Sequence, residues 1–340
     1  YRGNEKAERH FGIYALYVMF YPQLVAGPIE RPQNMLHQFY EKKHFDYYNV
    51  TDGLKLMAWG MFKKVVIADR LVKLTDPVFN DPHKFSPLAL LLGAIFFSFQ
   101  IFCDFSGYSD IAIGSAKVMG FKLMQNFNMP YQSKSVSEFW KRWHISLSTW
   151  FRDYLYIPLG GSKVGTLKKV RNIFIIFIVS GFWHGANWTF IIWGGLNAIY
   201  ILPSILFKTN RRNLDIVAQG KYFPTIRELL SMIVTFSLAV FGWIFFRAEN
   251  VSHAMSYISE MFSKSLFTIP KFERMDSATT TLIFIAFFLI IEWLGREQQY
   301  ALAHFGLKWP KFLRWGFYYL IILVIFIFAG TSQQFIYFQF

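Results

Sequence analysis

Long apolar runs separated by short polar links dominate this chain. Pro87–Cys103, Ile173–Phe182, Trp188–Leu206, Leu229–Phe246, Leu282–Ile291 and Trp315–Ala329 are mostly aliphatic or aromatic. They approach the roughly 20 apolar residues that cross a hydrocarbon core, and each predicts a membrane span or part of one. Phe11–Ala26 is a further aromatic run, closed by Gly27-Pro28, and Pro22 within it predicts a kink or break. Leu54–Ala68 has apolar residues at helical spacing but ends on Lys63-Lys64, which predicts an interfacial or partial span. Pro87–Cys103 runs into the polar stretch Asp104–Asp110 and then the small-residue run Ile111–Gly120, suited to close helix contact in lipid.

One amphipathic stretch departs from this pattern. Ser135 and Glu138 form an S-x-x-E capping box that predicts a helix start. Phe139, Trp143, Leu147, Trp150 and Tyr154 then recur at spacings of four, four, three and four, making one apolar stripe. His144 lies off the stripe, in the row Trp140, His144, Ser148. Lys141, Arg142, Arg152 and Asp153 make this helix too charged to face lipid, so it lies at an interface or lines a hydrated cavity. Glu249–Ser277 reads as a second interfacial excursion.

Composition turns these spans into a class. Of 340 residues, 54% are hydrophobic and only 16% charged, against about 25% charged in a soluble domain. The chain reads as an all-α polytopic membrane protein forming a single domain, residues 1–340. Net charge is +14, but the basic residues cluster between apolar runs, at Lys63-Lys64, Lys163 to Arg171, Arg211-Arg212 and Lys308 to Arg314. That is a positive-inside arrangement suited to anionic headgroups, and nucleic acid is not an expected partner. Cys103 is the single cysteine, which excludes an internal disulfide and a cysteine-based metal site. The chain begins at Tyr1 with no signal pattern, so its natural N-terminal part, with further spans, is expected to be missing.

Two histidines carry the candidate chemistry. His184 lies in Ser180-Gly-Phe-Trp-His-Gly-Ala-Asn-Trp188, within a long apolar stretch. With Lys163–Arg171 on the cytoplasmic side, a helix places it roughly 20 Å along, past the middle of a bilayer about 30 Å thick. Ionisable groups at such depth are costly and functional by default; the plain alternative is a histidine bonded to a neighbouring carbonyl that holds helices together. An imidazole, with its pKa of about 6.5, suits general-base work on a hydroxyl. Trp183, Asn187 and Trp188 are candidate pocket walls. Neither H-x-x-x-H nor H-E-x-x-H is present, so no metal site is expected. His144 reads either as part of a polar helix face or as a second site residue that positions a substrate. Asp104 and Asp110 are expected to cap a helix break and to pair with a buried arginine such as Arg142 or Arg152, the alternative being proton-relay or substrate contacts.

At these positions the chain resembles the membrane-bound O-acyltransferase (MBOAT) family. It looks most like the bacterial alginate O-acetyltransferase branch, with the D-alanyl-teichoic-acid branch a close relative. The resembling stretches are Phe105-Ser-Gly-Tyr-Ser-Asp-Ile-Ala-Ile-Gly114, Glu138-Phe-Trp-Lys-Arg-Trp-His-Ile-Ser-Leu-Ser148, Trp150-Phe-Arg-Asp-Tyr-Leu-Tyr-Ile-Pro-Leu-Gly-Gly161 and Ser180–Trp188. The ending Phe335-Ile-Tyr-Phe-Gln-Phe340 is also similar, which suggests a natural C-terminus. The resemblance runs from about Tyr14 to Phe340.

The resemblance implies that His184 matches the family's catalytic histidine and His144 its second characteristic one. It implies a ring of helices around a central tunnel that joins a cytoplasmic donor to an extracytoplasmic acceptor. The donor would be acetyl-coenzyme A or an acyl-carrier thioester, with no bound cofactor. The acetyl group would pass towards an exported, alginate-like polysaccharide through an SGNH-like partner acetyltransferase outside the bacterial inner membrane. Arg142, Arg152 and Asp153 are then candidates for the donor-binding mouth. Two rivals remain at this stage: a saccharide transporter, which predicts internal repeats that the chain lacks, and a structural subunit whose histidines only pack.

Overall fold

Among the described residues, five helices are long and apolar enough to cross a membrane: Pro87–Val118, Trp188–Leu206, Ile226–Arg247, Ser277–Leu294 and Lys311–Phe328. The structure is a computed structural model that describes residues 6–209, 215–263, 272, 275–330, 333 and 335. Arg211-Arg212, the stretch 264–271 within Glu249–Ser277, and residues 336–340 of the C-terminal motif lie outside the described residues. Among the described residues the chain is helical throughout, with no strand. The α-helices are α1 (Phe11–Val18), α2 (Pro32–Tyr40), α3 (Tyr47–Met61), α4 (Asp69–Asn80), α5 (Pro87–Val118), α6 (Val136–Arg142) and α7 (Ile145–Phe151). They continue as α8 (Thr166–His184), α9 (Trp188–Leu206), α10 (Ile226–Arg247), α11 (Val251–Met261), α12 (Met275–Leu294) and α13 (Lys311–Phe328).

The central element is α5, 32 residues and so about 48 Å long. Ser86 caps its start, accepting from the Ala89 amide at 3.4 Å, and Pro87 fills the first turn, where its missing N–H costs nothing. Two of its glycines meet two on α3. A Cβ on Gly60 would lie 2.6 Å from the Gly107 carbonyl oxygen, and one on Gly53 would lie 2.6 Å from that of Gly114. The seven-residue spacing on both helices repeats the same contact two turns apart and lets the backbones touch. The small-residue run thus serves close packing, as its composition predicts.

Three expectations are corrected here. The polar stretch Asp104–Asp110 does not break a helix: α5 continues through it to Val118. Nor do its carboxylates meet arginines. Asp110 pairs with Lys63 at 2.6 Å and Asp104 with Lys64 at 2.5 Å, while Lys64 also reaches Asp69 at 2.8 Å. Between α3 and α4 the chain makes a π-helical turn over Phe62–Ala68, which carries both lysines inward, so they are buried rather than lying at headgroups. A lysine held in apolar surroundings needs a counter-charge, and α5 supplies one for each. Phe11–Ala26 forms the eight-residue α1 and a short 3-10 turn at Pro22, so the break expected at that proline is present.

Candidate active site

The stretch after Ser135 is two helices rather than one. Ser135 caps α6, its Oγ accepting from the Glu138 amide at 3.2 Å, but the Glu138 carboxylate reaches the Lys134 amide instead of closing the box. The helix then stops at Trp143, and His144 takes a left-handed backbone, φ 42°, before α7 begins. A non-glycine residue there is strained and persists only where its surroundings over-determine it. They do so from both sides: the Asn128 amide donates to Arg142 O at 2.9 Å, and the Ile145 amide donates to Asn126 O at 2.8 Å. Asn126 Oδ1 also lies 3.0 Å from His144 Nδ1. Phe105 stands edge-on to the imidazole at 4.6 Å, and His144 is buried.

His184 is placed by other means. It ends α8, whose first turns carry Lys168, Lys169 and Arg171, and the thirteen residues from Arg171 at about 1.5 Å each set it roughly 20 Å from that basic end. Four rings surround it: Trp183 at 5.1 Å, Trp193 at 5.3 Å, Phe246 at 5.1 Å and Phe190 at 6.3 Å. The first three stand nearly perpendicular to the imidazole, the favoured edge-to-face arrangement. Rings from α9 and α10 reach it because α8 and α9 cross in contact. A Cβ on Gly181 would lie 2.2 Å from Phe190 O, and one on Gly194 would lie 2.2 Å from Phe177 O.

The two imidazoles line one cavity of about 510 Å³. Trp140, His144 and Ser148 line one wall together with Trp143 and Leu147, so both the row and part of the apolar stripe reach the cavity. Ile176, Phe177, Ser180 and His184 of α8 form the facing wall. Exposed Lys141, Arg152 and Ser162 stand on its rim, with Tyr156 beside them. The cavity therefore has a polar, partly cationic rim and an interior of rings, aliphatic side chains and two histidines. Such a space can admit a slender chain that carries an anionic head.

The other candidates lie elsewhere. Arg142 is buried against Glu138, 2.8 Å away, and donates to Asn128 O at 3.2 Å; it holds the loop that clamps His144 and does not line the cavity. Asp153 pairs with Arg152 at 2.8 Å and Arg31 at 3.2 Å. Partial burial raises its carboxyl pKa, but the hydrogen bonds from Arg152 and Arg31 outweigh this and hold it below the ordinary value. Asn187 caps α9, accepting from the Thr189 amide at 3.1 Å and donating to Glu249 O at 2.7 Å. Trp188 is 73% exposed and Trp183 is 52% exposed, the latter touching His184 with its ring. Sequence reasoning missed Asn126, Trp193 and Phe246. Asn126 opens a loop, and the two rings sit in apolar helices, so nothing local marks them. Among the described residues, no group of three or more His, Cys, Asp or Glu side chains is placed to hold a metal.

With this geometry in place, comparison with known proteins gives the class. The profile of the membrane-bound O-acyltransferase family matches residues 10–241, and the chain belongs to that family. It is 34% identical to a peptidoglycan O-acetyltransferase of Helicobacter pylori, over 97% of this chain and 65% of that protein. It is 38% identical to the probable alginate O-acetylase AlgI of Pseudomonas aeruginosa, over 88% of this chain and 55% of that protein. It is 31% identical to a teichoic acid D-alanyltransferase of Bacillus subtilis, over 70% of this chain and 61% of that protein. The chain thus spans between half and two thirds of the length of these relatives.

Proposed function

We propose that this chain forms the catalytic passage of an O-acyltransferase that moves an acetyl group from a cytoplasmic thioester towards an envelope polysaccharide. One observation carries the reading: His184 and His144 line a single cavity whose rim holds Lys141 and Arg152. The donor is acetyl-coenzyme A or an acyl-carrier thioester, with its phosphates at that rim and its thioester between the histidines. His184 takes the proton from the accepting hydroxyl as the oxygen attacks the thioester carbonyl. The C–O bond forms, the C–S bond breaks, and the proton passes to the departing sulfur. The surrounding rings exclude water, which would otherwise hydrolyse the thioester.

The relatives named for alginate and peptidoglycan acetylation support an exported polysaccharide as the final acceptor, and a bacterial inner-membrane location with it. In this reading an SGNH-type partner outside the membrane receives the acetyl group and delivers it. The relative named for teichoic acid D-alanylation favours a second reading, in which a carrier protein presents a different acyl group. The test is His184→Ala in the full-length protein, with membrane abundance and envelope acetylation measured together. Acetylation should vanish at normal abundance. Full acetylation would leave only a transport or scaffold role, and joint loss of both would point to a structural histidine. Thioester consumption by membranes given acetyl-coenzyme A or a loaded carrier distinguishes the two donors.

A further inference from the structure

Three hydrogen bonds fix the Asn126 amide beside His144. The Ser146 backbone amide, 3.3 Å from one atom of the Asn126 amide group, can only donate, so that atom is the oxygen, Oδ1. The Ser146 hydroxyl donates to the same oxygen at 2.8 Å, and the Asn126 nitrogen Nδ2 donates to Ser109 Oγ at 3.0 Å. The orientation of the amide is therefore fixed from three directions. His144 Nδ1 faces that oxygen at 3.0 Å. An acceptor facing a ring nitrogen requires that nitrogen to carry the hydrogen, and in a neutral imidazole the other nitrogen is then bare.

We infer that Asn126 is a positioning residue that holds His144 as the Nδ1–H tautomer and so turns an unprotonated Nε2 to the cavity. Nδ1 is committed to Asn126 and Phe105 stands edge-on to the ring at 4.6 Å, so the opposite ring edge is what His144 contributes to the cavity wall. An acceptor nitrogen there selects a group that brings its own hydrogen. Of the chemistry the cavity is proposed to receive, that means an N–H of the donor's amide arm or the O–H of the acceptor. A thioester carbonyl, which has no hydrogen to offer, is left to other groups. The two histidines then hold different substrate groups. The left-handed backbone at His144 serves the same end: the flanking bonds from Asn128 and Ile145 fix the ring's position, and Asn126 fixes its protons.

This inference rests on the acyltransferase reading for its purpose, but not for its test. The purified full-length protein, with its histidines labelled with 15N, should show pyrrole-type Nδ1 and pyridine-type Nε2 for His144, assigned by the signal that disappears in His144→Gln. A pyridine-type Nδ1 in the wild type would overturn the inference whatever the activity. The second arm compares Asn126→Leu, which removes the acceptor, with Asn126→Asp, which keeps it. At equal membrane abundance, turnover should fall at least tenfold in Asn126→Leu and recover at least in part in Asn126→Asp. Full turnover in Asn126→Leu would equally sink the inference. If the tautomer is as stated and His184→Ala still acetylates, the reading of function fails while the proton assignment stands.

Discussion

His144 and His184 face the same space but are held there by opposite means. His144 sits at a helix break, strained, with its backbone clamped on both sides and its ring bonded to Asn126. His184 sits at the end of a regular nineteen-residue helix, and neighbouring rings set its plane. Hydrogen bonds fix direction and protonation; packing fixes position and keeps out water. Under the proposed mechanism the two walls divide the labour: a rigid acceptor at His144 and a proton carrier at His184. The difference also sets what each substitution should cost.

The largest expected effect is on turnover in His184→Ala. Loss of a general base lowers rate about 10²–10⁴-fold. His144→Ala should differ in kind. It removes one of the three hydrogen bonds that Asn126 Oδ1 accepts, so turnover falls and stability drops by about 1 kcal/mol. Full turnover in His144→Ala at normal membrane abundance would break the comparison.

Arg142→Ala comes next. It leaves Glu138 buried without its cation, which costs about 3–5 kcal/mol and should appear as lost membrane abundance. Whatever Arg142→Ala protein remains should keep its KM for the donor, because Arg142 lies off the cavity. Arg152→Ala should do the reverse: unchanged abundance and a donor KM raised roughly threefold to tenfold, less so at high salt. The smallest effect belongs to Asp153→Asn, at less than about 1 kcal/mol. Because hydrogen bonds to Arg152 and Arg31 depress the folded carboxyl's pKa, its contribution is present above the unfolded value of about 3.9. It disappears as pH falls through the lower folded value. Melting curves of Asp153→Asn and wild type should therefore differ by a constant amount from pH 8 to 5 and converge only below about pH 4.

The parts of this fold legible in the sequence are those written in local period. The run Trp188–Leu206 forms α9 with the same limits, and the stretch after Ser135, too charged to face lipid, lines a cavity. The helix break at His144 was illegible, because the apolar stripe continues through it without a gap. The bonds that stop the helix come from residues 126–128, across a loop that carries no periodic signal. The inward turn of Lys63 and Lys64 was hidden for a similar reason. Two adjacent lysines read as a surface cluster until their partners, some forty residues away on α5, are seen. Arg142 and Arg152 looked alike in sequence, yet one is buried beside a carboxylate and the other stands on the rim.

The most direct measurement is a structure of the full-length protein in a lipid nanodisc with a non-cleavable thioether analogue of acetyl-coenzyme A. The analogue's acyl carbon should lie between His184 and His144, with its phosphates near Lys141 and Arg152. Density for the analogue outside this cavity, or an unfilled cavity with His184 sealed among its rings, would contradict the account.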